Sequence, residues 1–225
     1  ISNFLGLEFQ KEYALDSAEY YHRNAYNLLK KGYSQHTEMA ITLNKLGIVS
    51  IYTEDYKTAK SYFERALKIF DVSVEKANSY NNLALTEKYL GNPDKSIEAY
   101  SKALSIFEKI GKNASAVDVR LNISGLHLAQ GNDSIALDQL KRAESYAQKY
   151  GLYEQFYRAK SNMAPIYRDL GKYKLALQLH HECDVYFKSQ GLLQYQIVNL
   201  NNLAILYGEL KEYKEEIAIY YRVID

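Results

Sequence analysis

Four asparagines recur at an interval of 40 residues along the chain, at Asn82, Asn122, Asn162 and Asn202. A carboxamide offers two N–H donors and one oxygen acceptor. A row of them can pair with the N–H and C=O groups of an extended peptide, whatever side chains that peptide carries. The same groups can instead hydrogen-bond neighbouring helices, and the residues alone leave both roles open. Because asparagine is a poor residue for a helix interior, four in register favour a polar role.

Metal binding and catalysis have little support in the residues. His180, His181 and Cys183 lie close together, but no fourth metal ligand is nearby, and His180 and Cys183 fall at positions predicted to pack helices. His127 is expected to be a core or groove side chain. The sequence contains no nucleophile elbow, phosphate-binding loop, catalytic carboxylate pair or zinc pattern. We therefore expect no catalytic residue, no metal ion and no cofactor.

Composition narrows the class of protein further. Of 225 residues, 47% are hydrophobic and 24% are charged, which is typical of a folded globular chain. Lys plus Arg number 28 and Asp plus Glu number 27, so the net charge of +1 gives no electrostatic footprint for direct nucleic-acid binding. The sequence contains no run of 18 apolar residues, so it predicts no membrane span. A single cysteine excludes a disulfide framework within the chain.

The element that must position these side chains is a repeated helical hairpin. Only 2 prolines and 11 glycines punctuate the chain, which favours nearly continuous helix and an all-α fold. Similar segments, each of two helical stretches around a short turn, begin at Asn3, Asn44, Asn81, Leu121, Ser161 and Asn201. Gly91, Gly131 and Gly171 lie where the first helix ends, and we expect positive φ angles there.

Three positions of the repeat hold small residues, which allow two helices to approach closely. The first position holds Gly6, Gly47, Ala84, Ser124, Ala164 and Ala204. The second holds Ala18, Ala59, Ser96, Ala136 and Ala176, with Glu216 in the last copy. The third holds Ala25, Ala66, Ala103, Ala143 and Cys183. A single hairpin cannot bury its apolar face, so we predict one stacked array over residues 1–225, with repeats near 1–35, 36–73, 74–112, 113–152, 153–192 and 193–225.

These segments resemble the tetratricopeptide repeat family. The resemblance rests on the small-residue positions, on pairs such as Leu46-Gly47 and Leu83-Ala84, and on the turn-flanking Tyr56. The period is nearer 40 than the usual 34 residues, and the helix-ending proline is missing, as in the Leu-Gly-Asn repeat proteins, kinesin light chains and bacterial Rap-type regulators. The resemblance implies a right-handed superhelix of about six hairpins, whose first helices line a concave groove.

The resemblance also implies a function, which is non-catalytic binding of a protein or peptide held as an extended segment in the groove. Helical geometry then assigns residues to the groove wall. The candidate peptide-binding residues are Asn44, Asn78, Asn82, Lys88, Tyr89, Asn122, Arg158, Asn162, Arg168 and Asn202. In this assignment the asparagines hold the peptide backbone, and the charged and aromatic side chains add selectivity.

The alternative is a sensory or regulatory domain of a bacterial signalling protein, such as a sensor kinase or a transcription regulator. Asp225 falls inside the last helix of its hairpin, so we expect the sequence to be part of a longer protein. Exposed terminal repeats would then permit self-association. The sequence leaves the compartment open between a cytoplasmic location, which is slightly favoured, and a periplasmic sensor domain.

Overall fold

The computed structural model describes residues 15–30 and 36–224, and every regular element in these ranges is an α-helix. The helices are α1 (Leu15–Lys30), α2 (His36–Tyr52), α3 (Tyr56–Leu67), α4 (Val74–Tyr89), α5 (Pro93–Lys109), α6 (Asn113–Ala129), α7 (Asp133–Lys149), α8 (Tyr153–Asp169), α9 (Tyr173–Ser189), α10 (Leu193–Glu209) and α11 (Tyr213–Ile224). The predicted all-α fold of tandem helical hairpins is confirmed. None of these helices is both long and apolar enough to cross a bilayer.

Helices α2, α4, α6, α8 and α10 begin at residues 36, 74, 113, 153 and 193, where the second to sixth repeats are predicted to start. They are the first helices of their hairpins, and α3, α5, α7, α9 and α11 are the second helices. Helix α1 corresponds to the second helix of the first repeat. The first helix predicted for that repeat, including Gly6, lies outside the described residues.

The chain divides into two compact units between Val119 and Arg120. In the first unit, each helix from α1 to α5 packs against the next one, and α2 also touches α4. In the second unit, α7 to α11 pack in the same sequential manner, and α8 also touches α10. First helices of successive repeats are therefore neighbours within each unit. A single array over residues 1–225 stays a prediction.

The small-residue positions are buried, and some of them carry close contacts between the two helices of a hairpin. All of the small residues within the described ranges are buried at these three positions. At Gly47 the approach is closest, because a Cβ atom built there would lie 2.6 Å from the Phe63 ring. The buried Ser96 hydroxyl donates a 2.7 Å hydrogen bond to the carbonyl of Ala84 in the facing helix. These contacts set the orientation of the first helix in its hairpin, and therefore which of its residues lie on the face away from the second helix.

The turn that follows each first helix requires a left-handed residue. Gly91, Gly131 and Gly171 have the predicted positive φ angles, between 71° and 76°. The same repeat position holds Glu54 and Lys211 in the second and last hairpins, with φ angles of 59° and 62°. A side chain in this conformation is strained, since its Cβ crowds the backbone. Glu54 and Lys211 are the non-glycine residues with positive φ among those described.

Candidate functional site

The four asparagines spaced at 40 residues are accessible in the structure. Asn122 and Asn162 are exposed, and Asn82 and Asn202 are partly exposed. Each lies on a first helix, and none of their side chains hydrogen-bonds another described residue. We name these four residues the asparagine ladder. Their carboxamides are therefore available to an external hydrogen-bonding partner.

Two other asparagines take the alternative role of bonding helices together. Asn44 accepts a 3.0 Å hydrogen bond from the Ser79 hydroxyl, which links α2 to α4. Asn199 accepts a 3.0 Å bond from the Ser161 hydroxyl, which links α10 to α8. The two pairs occupy the same positions of successive repeats with the residue types exchanged. Asn44 therefore contributes to the stack through its carboxamide oxygen, and its peptide-binding role stays a prediction.

In the first unit, Asn82 lies at the edge of an open cavity of about 560 Å³ between α2 and α4. We name this cavity the tyrosine pocket. It is lined by Ile48, Ile51, Tyr52, Glu54, Tyr56, Asn82, Leu85 and Tyr89. The Tyr56 and Tyr89 rings stack with their centroids 4.8 Å apart and their planes inclined by 19°. The pocket thus combines aromatic walls, an apolar floor and one carboxamide.

Glu54 is the charged residue of the tyrosine pocket. Its side chain is exposed and forms no ion pair with any residue that the structure describes. Burial raises the pKa of the Tyr56 hydroxyl, and the negative charge of Glu54 raises that pKa further. The carboxylate is therefore close enough to Tyr56 for its field to act on that hydroxyl.

The corresponding face of the second unit is closed by an ion-pair bridge. The Arg168 guanidinium pairs with Asp169 at 2.8 Å and with Glu209 of α10 at 3.4 Å. This bridge lies about two turns from Asn162 on α8 and from Asn202 on α10. Arg168 is thus held between two carboxylates, and an anionic ligand would have to compete with them.

The other candidate residues differ in their surroundings. Arg158 stacks on the Tyr195 ring at 4.8 Å and lies 3.5 Å from the Glu154 carboxylate, so it joins α8 to α10. Asn78 and Lys88 are exposed on α4. Tyr89 contributes to the tyrosine pocket. The peptide-binding role of all these residues remains a prediction.

His180 and Cys183 are buried between helices of the second unit. The imidazole Nδ1 lies 2.8 Å from the Asn199 carboxamide oxygen, and the Asn199 amide donates to the His180 carbonyl at 2.8 Å. Burial lowers the pKa of His180 to about 4 and raises that of the Cys183 thiol to about 12. A neutral imidazole and a protonated thiol are packing groups. The described residues include no cluster of three groups that could hold a metal ion.

Sequence reasoning missed the pocket-lining role of Tyr52 and Glu54. A usable signal was present, because Tyr52 and Tyr89 occupy the same position of successive repeats. Glu54 also stands where Gly91, Gly131 and Gly171 stand in other repeats. What the sequence did not reveal is that the turn brings this carboxylate beside the tyrosines.

Comparison with known proteins places the repeats in a family. Sequence models of the tetratricopeptide repeat match residues 40–71 and 75–149. These residues are therefore tetratricopeptide repeats, and the resemblance noted from the sequence is confirmed. A comparison with curated proteins finds no match.

Several solved structures share this fold. The Signal Transduction ATPase with Numerous Domains protein from Pyrococcus horikoshii, which has a tetratricopeptide repeat sensor, gives a TM-score of 0.85 at 17% identity over 99% of this chain and 35% of that one. BtubC (BKLC) from P. vanneervenii gives 0.75 at 17% identity over 94% and 89% of the two chains. A Rap protein complexed with competence and sporulation factor gives 0.62 at 16% identity over 99% and 73%. Identities this low support a shared fold and no more.

Proposed function

We propose that this chain is a non-catalytic binding module that holds an extended protein segment or peptide against the first helices of its repeats. The observation that carries the proposal is the contrast between two sets of asparagines. Asn44 and Asn199 are hydrogen-bonded within the stack, whereas the asparagine ladder is accessible and has no internal partner. Amides that the fold does not use are suited to an external backbone.

The spacing of the first helices is compatible with this role. Helices in direct contact lie about 8–10 Å apart, and an extended chain advances about 3.3 Å per residue. Within the second unit, where α8 touches α10, Asn162 and Asn202 would therefore meet the ligand backbone about three residues apart. Side chains between those points would face the solvent or the pockets beside the ladder, so the ladder itself would tolerate many ligand sequences.

The test begins with a random twelve-residue peptide library displayed on phage and panned against the purified protein. An enriched peptide is then synthesised with single N-methyl groups along its backbone, and in parallel with single alanine substitutions. Binding through the ladder predicts that N-methylation at positions about three residues apart weakens affinity more than most side-chain truncations. A peptide that responds only to side-chain truncation would contradict backbone recognition.

A second candidate is a sensory repeat domain that controls an attached output. The fold similarity to the Pyrococcus horikoshii protein with its tetratricopeptide repeat sensor, and to the Rap protein complexed with competence and sporulation factor, supports this candidate. A sensor should change shape when its ligand binds, because small rotations between repeats add along an array. Small-angle X-ray scattering with and without the enriched peptide tests this. A radius of gyration unaltered by saturating peptide would favour a passive adaptor.

A further inference from the structure

We infer that the tyrosine pocket accepts a lysine or arginine side chain of the bound segment, so that the partner carries a basic residue at this point. The inference rests on the proposed function and specifies what the first unit recognises. It follows from the placement of Glu54 beside the aromatic rings of Tyr52, Tyr56 and Tyr89.

The walls of the pocket suit a cation. Aromatic faces attract ammonium and guanidinium groups through the negative potential of the ring. Tyr52 is 55% exposed and Tyr89 is 53% exposed, so both rings remain open to a ligand. Ile48 and Leu85 line the same cavity and can contact the aliphatic stem of a long side chain.

The charge of the pocket is also uncompensated. Some carboxylates of the first unit have cationic neighbours, as Glu19 has Arg23 and Glu98 has Lys102, with both N–O distances at 2.6 Å. Glu54 has no such neighbour among the described residues, and no lysine or arginine lines the cavity. A basic ligand side chain would therefore supply the missing positive charge.

Glu54 is also kept in a conformation that favours glycine. In three other repeats the same position is glycine, and Glu54 has a φ angle of 59°. A strained residue next to a cavity indicates that the side chain has a role there.

The test uses three acetylated and amidated heptapeptides of alternating serine and alanine, with arginine, citrulline or leucine at the centre. Citrulline matches arginine in shape but has no charge. Each peptide is titrated into ¹⁵N-labelled protein, and the dissociation constant is taken from backbone amide shifts of Tyr52, Tyr89 and their neighbours. We expect the arginine peptide to bind about fivefold or more tightly than the other two.

Two variants make the test specific. Glu54→Gln should reduce the preference for arginine over citrulline to less than about twofold. Glu75→Gln, which removes an exposed carboxylate of the same unit outside the pocket, should leave the preference unchanged. Equal affinity for all three peptides, tighter binding of the leucine peptide, or a preference that survives Glu54→Gln would overturn the inference.

The same spectra separate this inference from the proposed function. The side-chain amide signals of Asn122 and Asn162 report on the ladder away from the pocket. If these signals move while the pocket signals do not, the basic-residue inference is wrong and the ladder proposal stands. If neither set moves with these peptides or with the peptides enriched from the library, both are wrong.

Discussion

At the scale of single residues, one missing methyl group sets the distance between α2 and α3. A Cβ atom at Gly47 would lie 2.6 Å from the Phe63 ring, which is itself fully buried. We predict that Gly47→Ala lowers the free energy of unfolding by about 1–3 kcal/mol through overpacking. Gly125→Ala is the matched control, because no atom lies within 4 Å of its Cβ position on α6.

The control should act in the opposite direction. Alanine in a helix interior is favoured over glycine by about 0.5–1 kcal/mol, so Gly125→Ala should slightly stabilise the protein. Urea unfolding followed by circular dichroism measures both variants. Equal effects of the two substitutions would show that the Gly47 contact is not what limits packing.

The left-handed residues give a second prediction at this scale. Lys211 lies two residues beyond α10 with a φ angle of 62°, and its N–H donates to the Gly208 carbonyl at 3.0 Å, as the Gly91 N–H donates to Lys88. We predict that Lys211→Gly raises the free energy of unfolding by about 0.5–1 kcal/mol, since glycine adopts this conformation without a Cβ penalty. Thermal unfolding of the variant beside the wild type measures this. A lower melting temperature would refute the assignment of strain.

At the scale of helices, one ion pair links α3 to α4. Lys60 lies 2.7 Å from Glu87, whose side chain is only 5% exposed, and the Asn92 amide donates to the same carboxylate at 2.8 Å. Burial raises the pKa of Glu87, but the hydrogen bonds from Lys60 and Asn92 outweigh it and hold that pKa below its ordinary value. The stabilisation is therefore present above the unfolded pKa and is lost as pH falls.

We predict that Lys60→Met lowers the free energy of unfolding at neutral pH by about 2–4 kcal/mol, because it leaves a buried carboxylate without its cation. Lys102→Met is the control, since Lys102 and Glu98 form an exposed pair within one helix. Such exposed pairs contribute little to stability, because solvent and salt screen them. Chemical denaturation at pH 7 distinguishes the two, and similar losses would mean that burial of Glu87 is unimportant.

Contacts within one hairpin could be predicted from the sequence, whereas contacts between repeats could not. Small residues and turn glycines were predicted because each depends on contacts within one hairpin, which its own sequence encodes. The contacts that Asn44 and Arg168 make with neighbouring helices could not be predicted, because they depend on which residue of the next repeat faces each side chain. Ser79 faces Asn44 and Glu209 faces Arg168, and a helical period does not specify such pairings between repeats.

At the scale of the whole molecule, each compact unit contains one buried histidine that resists protonation. Burial lowers the pKa of His22 to about 4, and the positive charge of Lys45 adds to this effect. Burial likewise lowers the pKa of His180 to about 4. The unfolded chain, with histidine pKa near 6.5, binds protons more readily than the folded chain in this interval. Stability is therefore complete above pH 6.5 and falls as pH drops towards 4.

The predicted loss between pH 7.5 and pH 4 is on the order of 3 kcal/mol for each histidine. Melting temperatures measured at several pH values test it. His22→Gln and His180→Gln should each flatten the pH dependence, whatever they do to stability at pH 7.5. Variants that keep the full pH dependence of the wild type would show that other groups cause the acid sensitivity.

We propose that the asparagine ladder holds the backbone of another chain. The most direct measurement is the dissociation constant of a library-selected peptide for the wild type and for the double variant Asn122→Ala with Asn162→Ala. Loss of these hydrogen bonds should weaken binding by about 1–3 kcal/mol, while Asn27→Ala on the exposed face of α1 should have no effect. An affinity of the double variant equal to that of the wild type would contradict the account.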